Sequence, residues 1–245
     1  MPGQLHHFGL VHLVILAAVL LIAYLPAAIQ RRRPSAAKRT RYLLAFLVSL
    51  SSVMLYAYMA LTGNQMFPGH VPLELCDASV WLVTLSLLTL KPAVFDLAYY
   101  PALGGATMSL LTPNLPPDAP VFLTIQFFME HGLIVAGVLY LVLSKQARPR
   151  PGSVGRSILF INLYAIVVGA FDAVFKTDYM FLRAKPATVS LLDYLGPWPW
   201  YILSVEAVGF VLFQLLYLPF REPAPQPAKQ LLGELASAEE AHPSL

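Results

Sequence analysis

The chain has 245 residues, 58% of them hydrophobic and only 12% charged, with a formal net charge of +3. A soluble domain carries about 25% charged residues. Together with a mean hydropathy of +0.65, this excludes a water-soluble globule, a disordered chain and a small disulfide scaffold. A crossing of the hydrocarbon core takes about 20 apolar residues, so the length accommodates roughly six to eight crossings.

Met1–His7 contains no Lys or Arg, and the apolar run that follows is longer than a signal-peptide core, so no cleavable signal is expected. Hydropathy and turn residues predict an all-α, polytopic membrane bundle of about seven transmembrane helices. They fall near Phe8–Ile29, Tyr42–Leu61, Leu73–Leu90, Ala93–Leu111, Val121–Ser144, Arg156–Phe175 and Trp200–Phe220. Only Lys91-Pro92 separates the third and fourth, and a re-entrant member of that pair would leave six spans. Residues 1–220 form one transmembrane domain; 221–245 form a tail, Pro-rich and then Glu/Ala-rich, expected to be mostly disordered with one short helix. No internal repeat is visible, which weakens an inverted-repeat transporter.

The loops set the orientation. Thirteen of the 16 basic residues fall on one side: Arg31–Arg33, Lys38, Arg39, Arg41, Lys91, Lys145, Arg148, Arg150, Arg156, Arg221 and Lys229. The positive-inside rule puts that side in the cytoplasm, so the N-terminus is expected outside and the C-terminus cytoplasmic, in a multi-pass protein of the cell membrane. The pI near 9.0 therefore reflects loop charge and implies no nucleic-acid partner. Lys145–Gly155 (KQARPRPGSVG) reads as an extended basic linker near anionic headgroups. The sixth loop, Lys176 to Trp198, carries Tyr179, Phe181, Tyr194 and Trp198 and is expected to lie in the interface. Gly104-Gly105 reads as a close helix contact.

A charged side chain in hydrocarbon costs about 2.5–3.5 kcal/mol on insertion scales, yet the spans retain His12, Glu74, Asp77, Asp96, Glu130, His131, Asp172 and Glu206. With the single cysteine, Cys76, all but Asp96 fall in the outer half, from five different helices, which predicts a polar cavity there. Each has a plainer reading. Glu74 and Asp77 suit the first turn of a helix, Asp172 and Glu206 could pair with another helix or with Arg183 or Lys185, and His12 could donate to a backbone carbonyl. A buried cysteine is ordinarily a small hydrophobe. His131, near the middle of its helix, has no packing reason to be there.

A thiol and an imidazole at one depth can form the nucleophile of acyl transfer. Cys76 would carry the acyl group and His131 would move the proton, with Asp172 or Glu206 orienting the ring. A metal held by His12 and His131 with Glu74 or Asp77 lacks any HExxH or paired-cysteine signature. GxSxG and phosphate-cradling glycine loops are absent too. No metal and no cofactor is expected.

Three segments carry a family resemblance: VPLELCDASVWL (Val71–Leu82), TIQFFMEHGLIV (Thr124–Val135) and TDYMFLRAKPATVSLLDYLGPWPWYILSVE (Thr177–Glu206). They resemble the bacterial YwaF-type integral membrane proteins. That family is similar to a eukaryotic transmembrane cysteine acyltransferase of ether phospholipids, and more remotely to hydrolases of fatty-acid esters of hydroxy fatty acids. The resemblance implies Cys76 as acyl-carrying nucleophile and His131 as its base. It departs at Glu74, where a histidine is common. The supporting set is then His12, Glu74, Asp77, Gln126, Glu130, Asp172 and Glu206, and the partner is a membrane lipid, a phospholipid or fatty-acyl ester. The competing reading is a transporter or channel for a proton, cation or small amine, with Asp96 extending the path inward. A third, a sensor or scaffold, makes no use of His131.

Overall fold

The computed structural model describes residues 9–63, 67–115, 119–186 and 190–221, and among these every regular element is helical. The residues before Gly9 and the expected tail from Glu222 onward lie outside this set. The helices are α1 (Leu10–Arg32), α2 (Ala37–Leu61), α3 (Leu75–Thr89), α4 (Pro92–Tyr100), α5 (Thr107–Leu111), α6 (Val121–Leu143), α7 (Ser153–Phe175) and α8 (Trp200–Tyr217). Five of them, α1, α2, α6, α7 and α8, are long and apolar enough to cross a membrane. α3 has 15 residues, a rise of about 22 Å against a hydrocarbon core of about 30 Å.

Where a single fourth helix was expected, α4 and α5 are separated by a π-helical stretch over Pro101–Ala106. Pro101 has no N–H to give to a regular turn, and the local ladder widens around it. Of the two glycines there, Gly104 is the close contact: a Cβ would lie 3.1 Å from Phe213 of α8, whereas one on Gly105 would meet nothing within 4 Å. α7 begins three residues earlier than expected, because Gly152 adopts φ 76 and turns the chain into the helix. The linker before it does not float. Arg150 donates its amide and its Nε to Asp96, at 3.0 and 2.8 Å.

α6 is the axis. Of its most apolar window 72% is buried, against 11–28% for the other four long helices. α1 runs parallel to it: Val19 packs on Gly132, and farther along Arg31 donates to the Leu143 carbonyl at 2.7 Å. α2 and α3 run antiparallel, since Arg41 reaches the Leu87 carbonyl, Ser49 meets Thr84 and Tyr56 meets Asp77. The lipid-facing sides of α7 and α8 expose Leu163, Ile166, Val167, Leu203 and Val211, as apolar solvent permits. The bundle thus has a basic end, with Arg31, Arg41, Arg150 and Arg156, and an aromatic end, with Tyr179, Trp198 and the start of α3.

Candidate functional site

The site forms where α3 begins. A helix start leaves its first N–H groups without partners and favours a carboxylate in the first turn. Asp77 supplies one: Oδ2 accepts the Glu74 amide at 2.9 Å while Oδ1 accepts the Tyr56 hydroxyl from α2 at 2.8 Å. Glu74 answers it in a capping box, its side chain accepting the amide of Asp77, and also accepts the Met180 amide at 2.9 Å. Both carboxylates are therefore engaged by the fold. Tyr56 was missing from the sequence-derived set, although a tyrosine in an otherwise apolar helix needs a partner for its hydroxyl.

Cys76 is the second residue of α3 and is half-buried. Val80, Val83 and Leu87 follow it at intervals of four, seven and eleven, so all four share one face of the helix. That face looks at α6, because a Cβ on Gly137 would sit 2.9 Å from Val83 and 3.3 Å from Leu87. α3 and α6 run the same way. Seven residues back from Val83 is Cys76, and seven back from Gly137 is Glu130. The register therefore sets Cys76 level with Glu130 and its neighbour His131, and Glu130 bears electrostatically on Cys76, as do Asp77 and Glu74.

His131 is 5% exposed. Its Nδ1 bonds the Phe127 carbonyl at 2.8 Å, and the Phe127 ring lies 4.2 Å from it, centroid to centroid. A carbonyl only accepts, so Nδ1 carries the proton and Nε2 is the basic nitrogen. No hydrogen bond joins the Cys76 thiol to His131. Glu130 accepts from Gln126 at 3.0 Å, and Gln126 also reaches the Ser51 carbonyl at 3.4 Å, so this pair faces α2.

The remaining candidates are occupied elsewhere. His12 bonds the Leu110 carbonyl at 2.7 Å and packs edge-on against Phe128. Asp172 is fully buried and accepts from Thr177 Oγ1 at 2.7 Å and from the Tyr179 amide at 3.1 and 3.0 Å. Arg183 donates to the Asp172 backbone carbonyl, not to its carboxylate. Glu206 is exposed and accepts from Asn162 of α7 at 2.7 Å. Glu206 thus pairs with another helix, one of the two alternatives the sequence offered, and neither carboxylate pairs with Arg183 or Lys185, because nearer neutral donors take up their oxygens. Asp96, fully buried, holds Arg150 at 2.7 Å and Arg156 at 2.8 Å, so it closes the basic end instead of leading a path through it.

The α7–α8 loop lies over this region. The Tyr179 hydroxyl donates to the Pro68 carbonyl and accepts the Val71 amide, both at 2.8 Å. Tyr201 donates to the Phe181 carbonyl, and Trp198 to that of Leu182. Lys176, Met180 and Phe181 have positive φ, which folds the loop back onto α3. Among the described residues no three His, Cys, Asp or Glu side chains gather where they could hold a metal ion.

A sequence profile of the TMEM164 family matches residues 3–217. An uncharacterized protein of Treponema pallidum (strain Nichols) is 24% identical over 161 residues. That match covers 66% of this chain and 66% of the relative, so just under two thirds of the relative's length is spanned. No solved structure matches the chain.

Proposed function

The chain belongs to the TMEM164 family, and from that premise we propose that it is a multi-pass protein of the cell membrane that transfers or hydrolyses lipid acyl chains through Cys76 and His131. The orientation that goes with this reading puts the aromatic end outside and the basic end in the cytoplasm. The resemblance of the three motifs to YwaF-type proteins points to the same pair. One observation carries the proposal: the shared seven-residue register of α3 and α6 from Val83 and Gly137, which sets a thiol and a buried imidazole at one depth on facing helices.

In the proposed reaction the Cys76 sulfur attacks the carbonyl carbon of an ester while its proton passes to His131 Nε2. The carbon–oxygen bond to the leaving alcohol breaks, and His131 returns the proton to that alcohol. A thioester remains on Cys76. An acceptor hydroxyl, or water, then attacks the thioester with His131 again as base, and the thiol is regenerated. Asp77, Glu130 and Glu74 all bear electrostatically on the sulfur, so a concerted proton transfer suits the site better than a free-standing thiolate. His131 needs no carboxylate behind it, since the Phe127 carbonyl already fixes its tautomer.

The test is intact mass measurement of the purified protein after incubation with phosphatidylcholine vesicles and a lysophospholipid acceptor. An acyl adduct on Cys76, released by neutral hydroxylamine, is expected. His131→Ala is expected to lower turnover by about 100-fold or more, and Lys185→Ala to leave it unchanged. Normal turnover in both Cys76→Ser and Cys76→Ala overturns the proposal.

A further inference from the structure

We propose that the basic end of the bundle contains a binding site for the phosphate of an anionic phospholipid, separate from the chemistry at Cys76. A cavity of about 560 Å³ opens between the α3–α4 turn, the end of α6, the α6–α7 linker and Phe220 beyond α8. Lys145, Arg148 and Arg150 line it, and no Asp or Glu is among its described lining residues.

The charge there is uncompensated. Asp96 offers one negative charge to two arginines, Arg150 and Arg156. Among the described residues, Lys145 and Arg148 have no carboxylate partner at all. The last-turn carbonyls of α6 are taken up by the chain itself, the Lys145 amide closing on Val142 and those of Gln146 and Ala147 on Leu141. The positive end of α4, at Pro92 on the rim, is offset by the negative ends of α3 and α6 beside it, so the side chains set the sign of the cavity. Like charges held together by the fold are lowered in energy by an anion, most of all where the surroundings are poor in water.

The geometry is also fixed in advance. Four hydrogen bonds to Asp96 pin Arg150 and the end of the linker: from the Arg150 amide and Nε, and from Arg156 Nε and Nη2. Lys145 sits at φ 58 in the turn that ends α6. The backbone that carries Lys145, Arg148 and Arg150 is thus ordered by the fold before any ligand arrives.

The wall chooses between anions. Leu90, Val142 and Phe220 make much of the cavity apolar. A soluble phosphate gains nothing from that surface, whereas a phospholipid lays the glycerol and the first carbons of its chains along it. The cavity lies at the ends of membrane-length helices, at the depth of headgroups, where basic pockets between helices hold anionic lipids.

The experiment is native mass spectrometry of the full chain released from nanodiscs of phosphatidylcholine with 20% phosphatidylglycerol, an order-of-magnitude choice for an anionic leaflet. The probe is the number of phosphatidylglycerol molecules retained. Lys145→Asn with Arg148→Gln is the informative variant, since asparagine accepts the left-handed backbone at position 145. It is expected to lower retention at least fivefold, and Arg148→Lys to keep most of it. Arg32→Gln with Lys38→Gln, at the same end but off the cavity, is expected to change nothing. Equal loss in both double variants, or no loss in the first, overturns the proposal. So does displacement of the lipid by inorganic phosphate at millimolar concentration, which would identify a soluble-phosphate site.

Discussion

Val71 and Tyr179 are 108 residues apart and joined by a 2.8 Å hydrogen bond from the amide of the first to the hydroxyl of the second. The same hydroxyl donates to Pro68, so one oxygen fastens the α2–α3 loop to the α7–α8 loop above the start of α3. Tyr179→Phe removes that oxygen and leaves a part-buried amide and carbonyl without their partner. A loss of about 2 kcal/mol is expected, read by denaturant unfolding in detergent. Limited proteolysis should cut the α2–α3 loop faster in the variant. A wild-type cleavage pattern would contradict the clamp.

The contact of Val83 with Gly137 sets the register on which the candidate dyad depends. Gly137→Ala places a methyl 2.9 Å from Val83 and 3.3 Å from Leu87, and overpacking of this kind costs typically 1–3 kcal/mol. Adding Val83→Ala makes room and should recover stability. If the register also serves chemistry, thioester formation on Cys76 should fall in Gly137→Ala and return in the double variant. Recovery of stability without recovery of the thioester would separate packing from function.

The depth of the polar groups was legible in the sequence, and so were a backbone carbonyl for His12 and a helix start for Asp77; the other partners were not. His12, Glu74, Cys76, Asp77, Glu130, His131 and Asp172 all fall toward the aromatic end, since a helix advances a fixed rise per residue and the span limits alone fix depth. Which way each side chain faces depends on helix–helix register, and that depends on contacts such as Val83 with Gly137. The same limit explains Asp172, whose partners Thr177 and Tyr179 come from a backbone reversal at Lys176 and Met180. Positive φ at non-glycine residues leaves no signature in the sequence. The π-helical stretch was signalled by Pro101, but a proline within a helix allows a kink as readily as a widened turn.

Asp96 should tolerate change worse than any other carboxylate of the chain. It is fully buried and holds two arginines whose side chains are about half exposed, 45% and 44%. Asp96→Asn leaves Arg150 and Arg156 facing each other with the charge between them gone, and breaking a buried pair in this way costs about 3 kcal/mol or more. Arg156→Gln should cost less, near 1 kcal/mol, because Arg150 still satisfies the carboxylate. Unfolding of the two variants side by side checks the order. The opposite ranking would mean that Asp96 is not the hub of the basic end.

Glu74 gives the bundle a dependence on pH whose sign follows from its surroundings. In the loop ahead of α3, burial pushes its carboxyl from 4.5 up to about 7, against the pull of the Met180 amide and with further help from Asp77, Asp172 and Asp178. The folded chain therefore keeps a proton there that the unfolded chain releases above its ordinary value. Folding is favoured most below that ordinary value, and stability declines as pH rises from about 4.5 to about 7, by up to about 3 kcal/mol, then levels off. Glu74→Gln keeps an oxygen for Met180 and cannot ionise, so its stability should decline less than that of the wild type across the same window. Unfolding measured at several pH values between 4.5 and 8 distinguishes the two. Parallel profiles for wild type and Glu74→Gln would show that this carboxyl is not the group that titrates.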